Sequence, residues 1–391
     1  MKYMGSKRKM LQNGLGTLLR HEMRSSRRFV DLFAGSGAVV RYVASRFKKS
    51  VVAVDLQHFS TIIANASLGR LTKIKGTDIV DDWILRAREV CDASELNEDI
   101  QRWVDSCGRS KLLRKDVLAA RKLCGNVSSE GVTWNAYGGH YLSPRQALQV
   151  DSLLACLPET HRVECLAALI VAVSKSVASP GHTAQPFQPT KDALPYIKVA
   201  WGRDIFECVR RDFKVISKVR SRVLGGVFCG DAQVFVDQQV RDGDLVFIDP
   251  PYSGVQYSRF YHVLETIANA HKVAVSGKGR YPELGERPQS VFSNRGTSRD
   301  AMSSLLVSLS KRRLTAVITF PSGECSNGLS GEWIVKEAAK YFNVSVIRKK
   351  NDFSTLGGNN AIREARQETT EFLILLKHRG RKTIKAQGFH S

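Results

Sequence analysis

The sequence predicts an α/β fold, a parallel sheet covered by helices and split in two by a long, mainly helical insertion. Three observations carry this. A strand, glycine turn and helix in "RRFVDLFAGSGAVVRYVASRF" run directly into a second strand in "KSVVAVDLQ". Strand–helix alternation is then lost between residues 66 and 224. It resumes at "GVFCGDAQVF" and "DLVFIDPPY".

In chain order, Phe29 to Phe33 supply the first strand and Gly35 and Gly37 the turn. Val39, Val40, Val43 and Ala44 give the helix an apolar face. Val51 to Val54 form the next strand, ending in Asp55. Strand, helix and strand at this spacing make a right-handed unit, hence a parallel sheet. The insertion holds "NAYGGHYLSPRQALQVDSLL", a core helix from Cys165, the loop "SVASPGHTAQPFQPTKDALP" and a basic helical run from Arg203 to Arg222. Beyond it lie the strand Leu245 to Ile248, helices at "YHVLETIANAHKV" and around Met302 to Ser310, and a strand in "LTAVITFPSG". A last strand near Phe372 to Leu376 closes the sheet. The α/β part therefore takes residues 1–65 and 225–380, the insertion 66–224, and a basic tail of low expected order 381–391.

A chain of 391 residues, 43% apolar and 25% charged, has the composition of a soluble globular protein. Its net charge of +22 points to a polyanionic partner, most simply nucleic acid, with generic solubility as the alternative. The eight cysteines form no C-x-x-C pair, which argues against a zinc site or disulfide scaffold and for a reduced, cytosolic setting. The apolar stretch "CLAALIVAVS" is about half a bilayer span. The N-terminus "MKYMGSKRKML" lacks an apolar signal core.

"AGSGAVV" matches a dinucleotide fingerprint only in part, because Val40 stands where the third glycine is expected. Gly35 and Gly37 still let a ligand approach the backbone closely, and Asp55 is placed to accept the two hydroxyls of a ribose. Those features suit any adenosine-containing cofactor; a plain βα turn with an exposed acid is the alternative. Asp249-Pro250-Pro251-Tyr252 discriminates. A base amine is a poor nucleophile because its lone pair is delocalised into the ring. A carboxylate and a rigid carbonyl accepting its N–H groups return density to nitrogen and favour attack on a sulfonium-borne methyl. Tyr252 would stack on the base, which must leave the duplex to reach the site.

"DPPY" with "FVDLFAGSG" resembles the Dam-like, alpha-type DNA adenine-N6 methyltransferases. The order of cofactor-binding start, insertion and "DPPY" strand is also theirs, and "YMGSK" resembles their N-terminal aromatic-x-Gly-small-Lys element. The resemblance implies a Rossmann-like S-adenosylmethionine-dependent methyltransferase with an inserted, mainly helical target-recognition domain. It implies that Tyr3 and Lys7 contact the cofactor. Asp31, Phe33, Gly35 and Gly37 would cradle its methionine side, Asp55 its ribose and Asp231 its adenine, with Asp249 touching both methionine end and target amine. Pro250, Pro251 and Tyr252 complete the catalytic motif. "SVASPGHTAQPFQP" departs from the family's base-contacting R-x-N-x-x-G pattern, which leaves the target sequence open.

The DNA contacts expected are Lys198, Arg203, Arg210, Arg211 and Lys214 around the basic run, with Tyr257 and Arg259 from the family-like tract "QYSRFYHVLET". A solvated face is the alternative for the basic run. Trp134, Tyr137 and Tyr141 suit base stacking and core packing equally. His262 and Tyr261 could line the site or be ordinary structure. Duplex DNA is the expected substrate, a cognate restriction endonuclease a possible partner, and the cytoplasm of a bacterial or phage system the expected setting. Oligomeric state is open. Cytosine-N4 methylation, an RNA adenine substrate, a non-catalytic DNA-binding module and a nicotinamide dehydrogenase are the competing readings. Intact Asp249 and Tyr252 count against the module, and Val40 against the dehydrogenase.

Overall fold

The computed structural model describes residues 7–107, 111–354 and 366–379; Tyr3, the tract 357–360 and the tail 381–391 lie outside the described residues. The sheet contains β1 (Arg28–Asp31), β2 (Ser50–Asp55), β3 (Gly226–Cys229), β4 (Asp244–Ile248), β5 (Thr315–Pro321), β6 (Phe342–Ser354) and β7 (Arg366–His378). Their order is β3-β2-β1-β4-β5-β7-β6. β1 to β5 pair in parallel, and β7 runs antiparallel between β5 and β6. The order reverses between β1 and β4, so a crevice opens at their carboxyl ends.

Burial explains the strands. All five positions of β4 are buried, as a central parallel strand covered on both faces requires. Arg28 fixes where β1 and β4 begin: its Nε and Nη2 reach the two oxygens of Asp244 at 2.9 and 2.6 Å. The first strand stops at Asp31, and Leu32 and Phe33 belong to the turn that follows.

Two helices, α1 (Arg8–Gln12) and α2 (Leu15–Glu22), precede the sheet; α3 (Ala38–Arg46) crosses from β1 to β2, and α4 (His58–Leu68) follows β2. Val40 is fully buried in the cluster that also holds Val51 and Leu245, so the position of the missing third glycine is a core position of α3. A helical block then takes α5 (Asp78–Asp92), α6 (Leu96–Ser106), α7 (Arg114–Asn126), α8 (Trp134–Tyr137), α9 (Pro144–Ala155), α10 (Arg162–Ser176), α11 (Leu194–Trp201) and α12 (Ile205–Ile216). After it come α13 (Ala232–Gln239), α14 (Tyr257–Asn269), α15 (Ser298–Lys311) and α16 (Gly331–Ala338).

The helical block has a small cluster of its own around Val117, Ile197 and Trp201, but its larger buried cluster is shared with helices outside it. One buried cluster runs from Phe59, Ile62 and Ile63 of α4, through Trp83, Trp134 and Leu169, to Val263, Leu264 and Ile267 of α14. Glu265 of α14 accepts the His58 and Phe59 amides at 2.8 and 3.1 Å, capping α4. Trp134, Tyr137 and Tyr141 are fully buried, which decides for core packing over base stacking. Tyr261 joins the same core. His262 is buried beside it, with Nδ1 3.1 Å from the Arg259 carbonyl.

The basic run is helical only as α12, and several of its cations are engaged inside the chain. Arg203 donates to the Lys175 carbonyl, and Arg210 to Asp81 and Glu207. Arg211 lies 3.4 Å from the Cys208 sulfur. Lys198, Arg211 and Lys214 are exposed. The amphipathic geometry of α12 accounts for this: Phe206, Val209 and Phe213 face the core and turn the long cations to the rim.

Candidate active site

An open cavity lies in the crevice, lined by the ends of β1, β2 and β4 and by the segments that follow them. Lys7, Asp31, Phe33, Gly35, Asp55, Asp231, Asp249, Pro250, Pro251, Tyr252 and Tyr257 all border it. Residues more than two hundred positions apart thus meet where the strand order reverses. Gly37 is set just behind, at the start of α3. Lys198, Arg203, Arg210, Arg211, Lys214 and Arg259 are not part of the lining.

The glycine turn is left-handed, with φ of +47° at Gly35 and +66° at Gly37, where a side chain would be strained. Asp55 ties this turn to β2: its oxygens accept the Gly35 amide at 2.7 Å and the Gln57 amide at 2.9 Å. Burial pushes the Asp55 carboxyl up to about 6, against the pull of those amides. Asp31 is raised well above the usual carboxylate range, by burial first and then by Asp249 and Asp55. Asp231 caps α13, its Oδ1 accepting the Gln233 and Val234 amides at 2.8 and 3.2 Å. Phe33 sits edge-on to Phe292, with centroids 5.2 Å apart. Four acidic side chains and one lysine thus line the cavity.

Asp249 stands at the end of β4 within a buried polar network. Its Oδ1 accepts the hydroxyls of Tyr252 at 2.7 Å and Thr319 at 2.8 Å, and lies 3.0 Å from Lys7 Nζ. None of these contacts uses Oδ2. Lys7 also donates to the Tyr252 hydroxyl and, at 2.8 Å, to Glu371. Tyr252 borders the cavity but is packed edge-on by Phe320 and tied to Asp249 through its hydroxyl.

The two prolines are not equivalent. Asn327 Nδ2 donates to the Pro251 carbonyl at 2.7 Å and to Phe292 at 3.0 Å. The Pro250 carbonyl has no hydrogen bond among the described residues, and it adjoins Asp249. Asn327, Thr319 and Glu371 escaped the sequence reading because no local motif marks them; they come from β5, β7 and the loop after β5. Asn327→Ala should strand the buried Phe292 carbonyl and the part-buried Pro251 carbonyl, cost about 1–3 kcal/mol and loosen the Pro251 turn. Thermal unfolding checks this, and an unchanged midpoint would refute it.

The sheet order, the switch-point cavity and the glycine turn define a mixed α/β fold on a central, mostly parallel sheet, consistent with the fold of S-adenosylmethionine-dependent methyltransferases. The chain belongs to the D12 class N6 adenine-specific DNA methyltransferase family, whose model matches residues 3–97 and 211–311. It is 26% identical over 292 residues to modification methylase LlaI of Lactococcus lactis subsp. lactis, across 71% of this chain and 40% of that protein. It is 22% identical over 289 residues to modification methylase StsI of Streptococcus sanguinis, across 71% of this chain and 37% of that one. Against the type II methyltransferase M.NlaIII of Neisseria lactamica it is 22% identical over 290 residues, across 71% of this chain and 72% of the relative. The chain thus spans about two fifths of the length of the first two relatives. Among the described residues no helix is long and apolar enough to cross a membrane.

Proposed function

We propose that this protein is a site-specific DNA methyltransferase that moves a methyl group from S-adenosylmethionine to N6 of an adenine flipped out of duplex DNA. The observation that carries the reading is that Asp249 and Pro250 border the same cavity as Gly35 and Asp55. Family membership supports the chemistry.

S-adenosylmethionine, when bound, supplies an electrophilic methyl on a sulfonium. The other roles belong to the chain. Asp31, Phe33, Gly35 and Gly37 cradle the methionine side and Lys7 contacts the cofactor, a role the family resemblance also gives to Tyr3. Asp55 accepts the ribose hydroxyls, and Asp231 lies toward the adenine. Asp249 and the Pro250 carbonyl accept the two N–H groups of the target amine, so its lone pair points at the methyl. Pro251, latched by Asn327, keeps that carbonyl in place. Tyr252 and Tyr257 offer aromatic surface to the extruded base.

The helical block of residues 66–224 serves as the target-recognition part of the chain, beside a catalytic part of 1–65 and 225–380. Exposed Lys198, Arg211, Lys214 and Arg259 are the phosphate contacts the surface favours. Arg203 and Arg210 would first have to leave their partners within the chain. A cognate endonuclease, suggested by the relatives' role as modification methylases, and a cytoplasmic place beside the chromosome complete the proposal.

Cofactor affinity should rise as pH climbs through about 6 and level off above it. Asp55, protonated below that value, there loses an acceptor for the ribose. Calorimetric titration with S-adenosylhomocysteine from acid to neutral pH tests this, and a flat profile removes Asp55 from the ribose. The target base is decided by nucleoside mass analysis of plasmid DNA from a methylation-free host expressing the chain. N6-methyladenine is expected, and N4-methylcytosine alone would overturn the assignment.

A further inference from the structure

We propose that Glu371 is a positioning residue for methyl transfer: it shares Lys7 with Asp249 and so preserves Asp249 as an acceptor for the target amine. This rests on the function proposed above and deepens it. Glu371 lies on β7, paired with Pro321 of β5, two residues beyond the Thr319 that donates to Asp249. Its side chain is buried, and Lys7 Nζ reaches it at 2.8 Å and Asp249 at 3.0 Å. One cation therefore contacts two carboxyl groups inside the same buried network.

Geometry and charge give this arrangement a purpose beyond packing. Lys7 is the one cation among the residues that line the cavity. If Asp249 were its sole acidic partner, the ammonium would form a neutral pair with it and draw charge from Oδ2, the oxygen that the contacts to Tyr252, Thr319 and Lys7 leave unused. A second carboxylate divides the pull of the lysine and leaves negative charge facing a nitrogen that turns cationic as it is methylated. Burying a carboxylate is costly, and the next strand residues, Phe372, Leu373 and Ile374, show that an apolar side chain suits this region. The other ionisable groups facing Asp249 are Asp31, Tyr252 and Tyr257. Burial holds the Asp249 carboxyl above its ordinary range, Lys7 pulls it down and Glu371 pushes it up again. Removing the Glu371 charge must therefore lower the pH at which Asp249 ionises.

The test is methyl transfer from labelled S-adenosylmethionine to plasmid DNA, from pH 5 to 9, by the full chain and two variants. Glu371→Gln should lose roughly tenfold or more in kcat at neutral pH, and its acid limb should move down by about one pH unit. Its affinity for S-adenosylhomocysteine should stay within about threefold of the parent, because no cofactor contact is removed. Glu371→Asp keeps the charge, so its acid limb should stay in place while kcat falls partway. Wild-type kcat and acid limb in Glu371→Gln would overturn the inference, and so would an acid limb that moves equally in both variants. Should Glu371→Gln fail to fold, Glu371→Asp decides alone: wild-type kcat overturns the inference, and lowered kcat on an unmoved limb supports it. An unmodified chain that methylates no DNA overturns the parent reading as well, a result distinct from all of these.

Discussion

Asp249→Ala is expected to reduce methyl transfer by about 10³-fold or more while DNA remains bound. The carboxylate is the one acidic side chain in the Asp-Pro-Pro-Tyr turn, and the Pro250 carbonyl alone cannot direct both N–H groups of an amine. The fold should survive the change. Lys7 keeps Glu371 at 2.8 Å, so no buried cation is orphaned. The hydroxyls of Tyr252 and Thr319 lose a shared acceptor, for about 1–3 kcal/mol of stability. Labelled-methyl transfer gives the rate, and DNA binding at two salt concentrations gives the slope, which should match the parent because no phosphate contact is touched. Activity equal to the parent's would end the role assigned to Asp249.

Trp134→Ala should have the largest effect on stability, about 3–5 kcal/mol. The ring is fully buried, and its Nε1 donates to the Val127 carbonyl at 2.9 Å. Asp151 accepts the Trp134 amide at 3.0 Å, which fixes the backbone of the short helix α8 around the cavity the substitution would leave. Because Trp134 belongs to the cluster that includes α4 and α14, the loss should appear as one lowered transition, with S-adenosylhomocysteine binding lost in the same step. A separate early transition that spares cofactor binding would show that the helical block melts on its own.

The parts of the fold legible in the sequence are those written locally. β1 with its glycine turn, β2 ending in Asp55 and β4 ending in Asp249 each announce themselves within about ten residues, because parallel strands are apolar throughout. β6 was invisible. Its Arg348-Lys349-Lys350-Asn351 tract has no apolar run, and it is a strand because it pairs along its length with β7 at the sheet edge. The aromatic group Trp134, Tyr137 and Tyr141 carried no sign of its fate, since packing and stacking favour the same residues. For the site, Asp249, Asp55 and Lys7 could be read from motifs, whereas Thr319 and Glu371 join Asp249 only through tertiary pairing. The charge run suggested phosphate contact at Arg203 and Arg210, but composition cannot tell an arginine facing solvent from one bonded to a carbonyl or a carboxylate.

The cluster that joins α4, the helical block and α14 bears on how such enzymes can be re-engineered. Exchanging the block for that of a relative would seat foreign side chains on Phe59, Val263 and Ile267, so a graft limited to that segment should misfold. The transplantable unit includes the two flanking helices, and one of them begins six residues after Pro251, at Tyr257. A change in the helical block and a change beside the Asp249 turn are therefore mechanically linked in this chain.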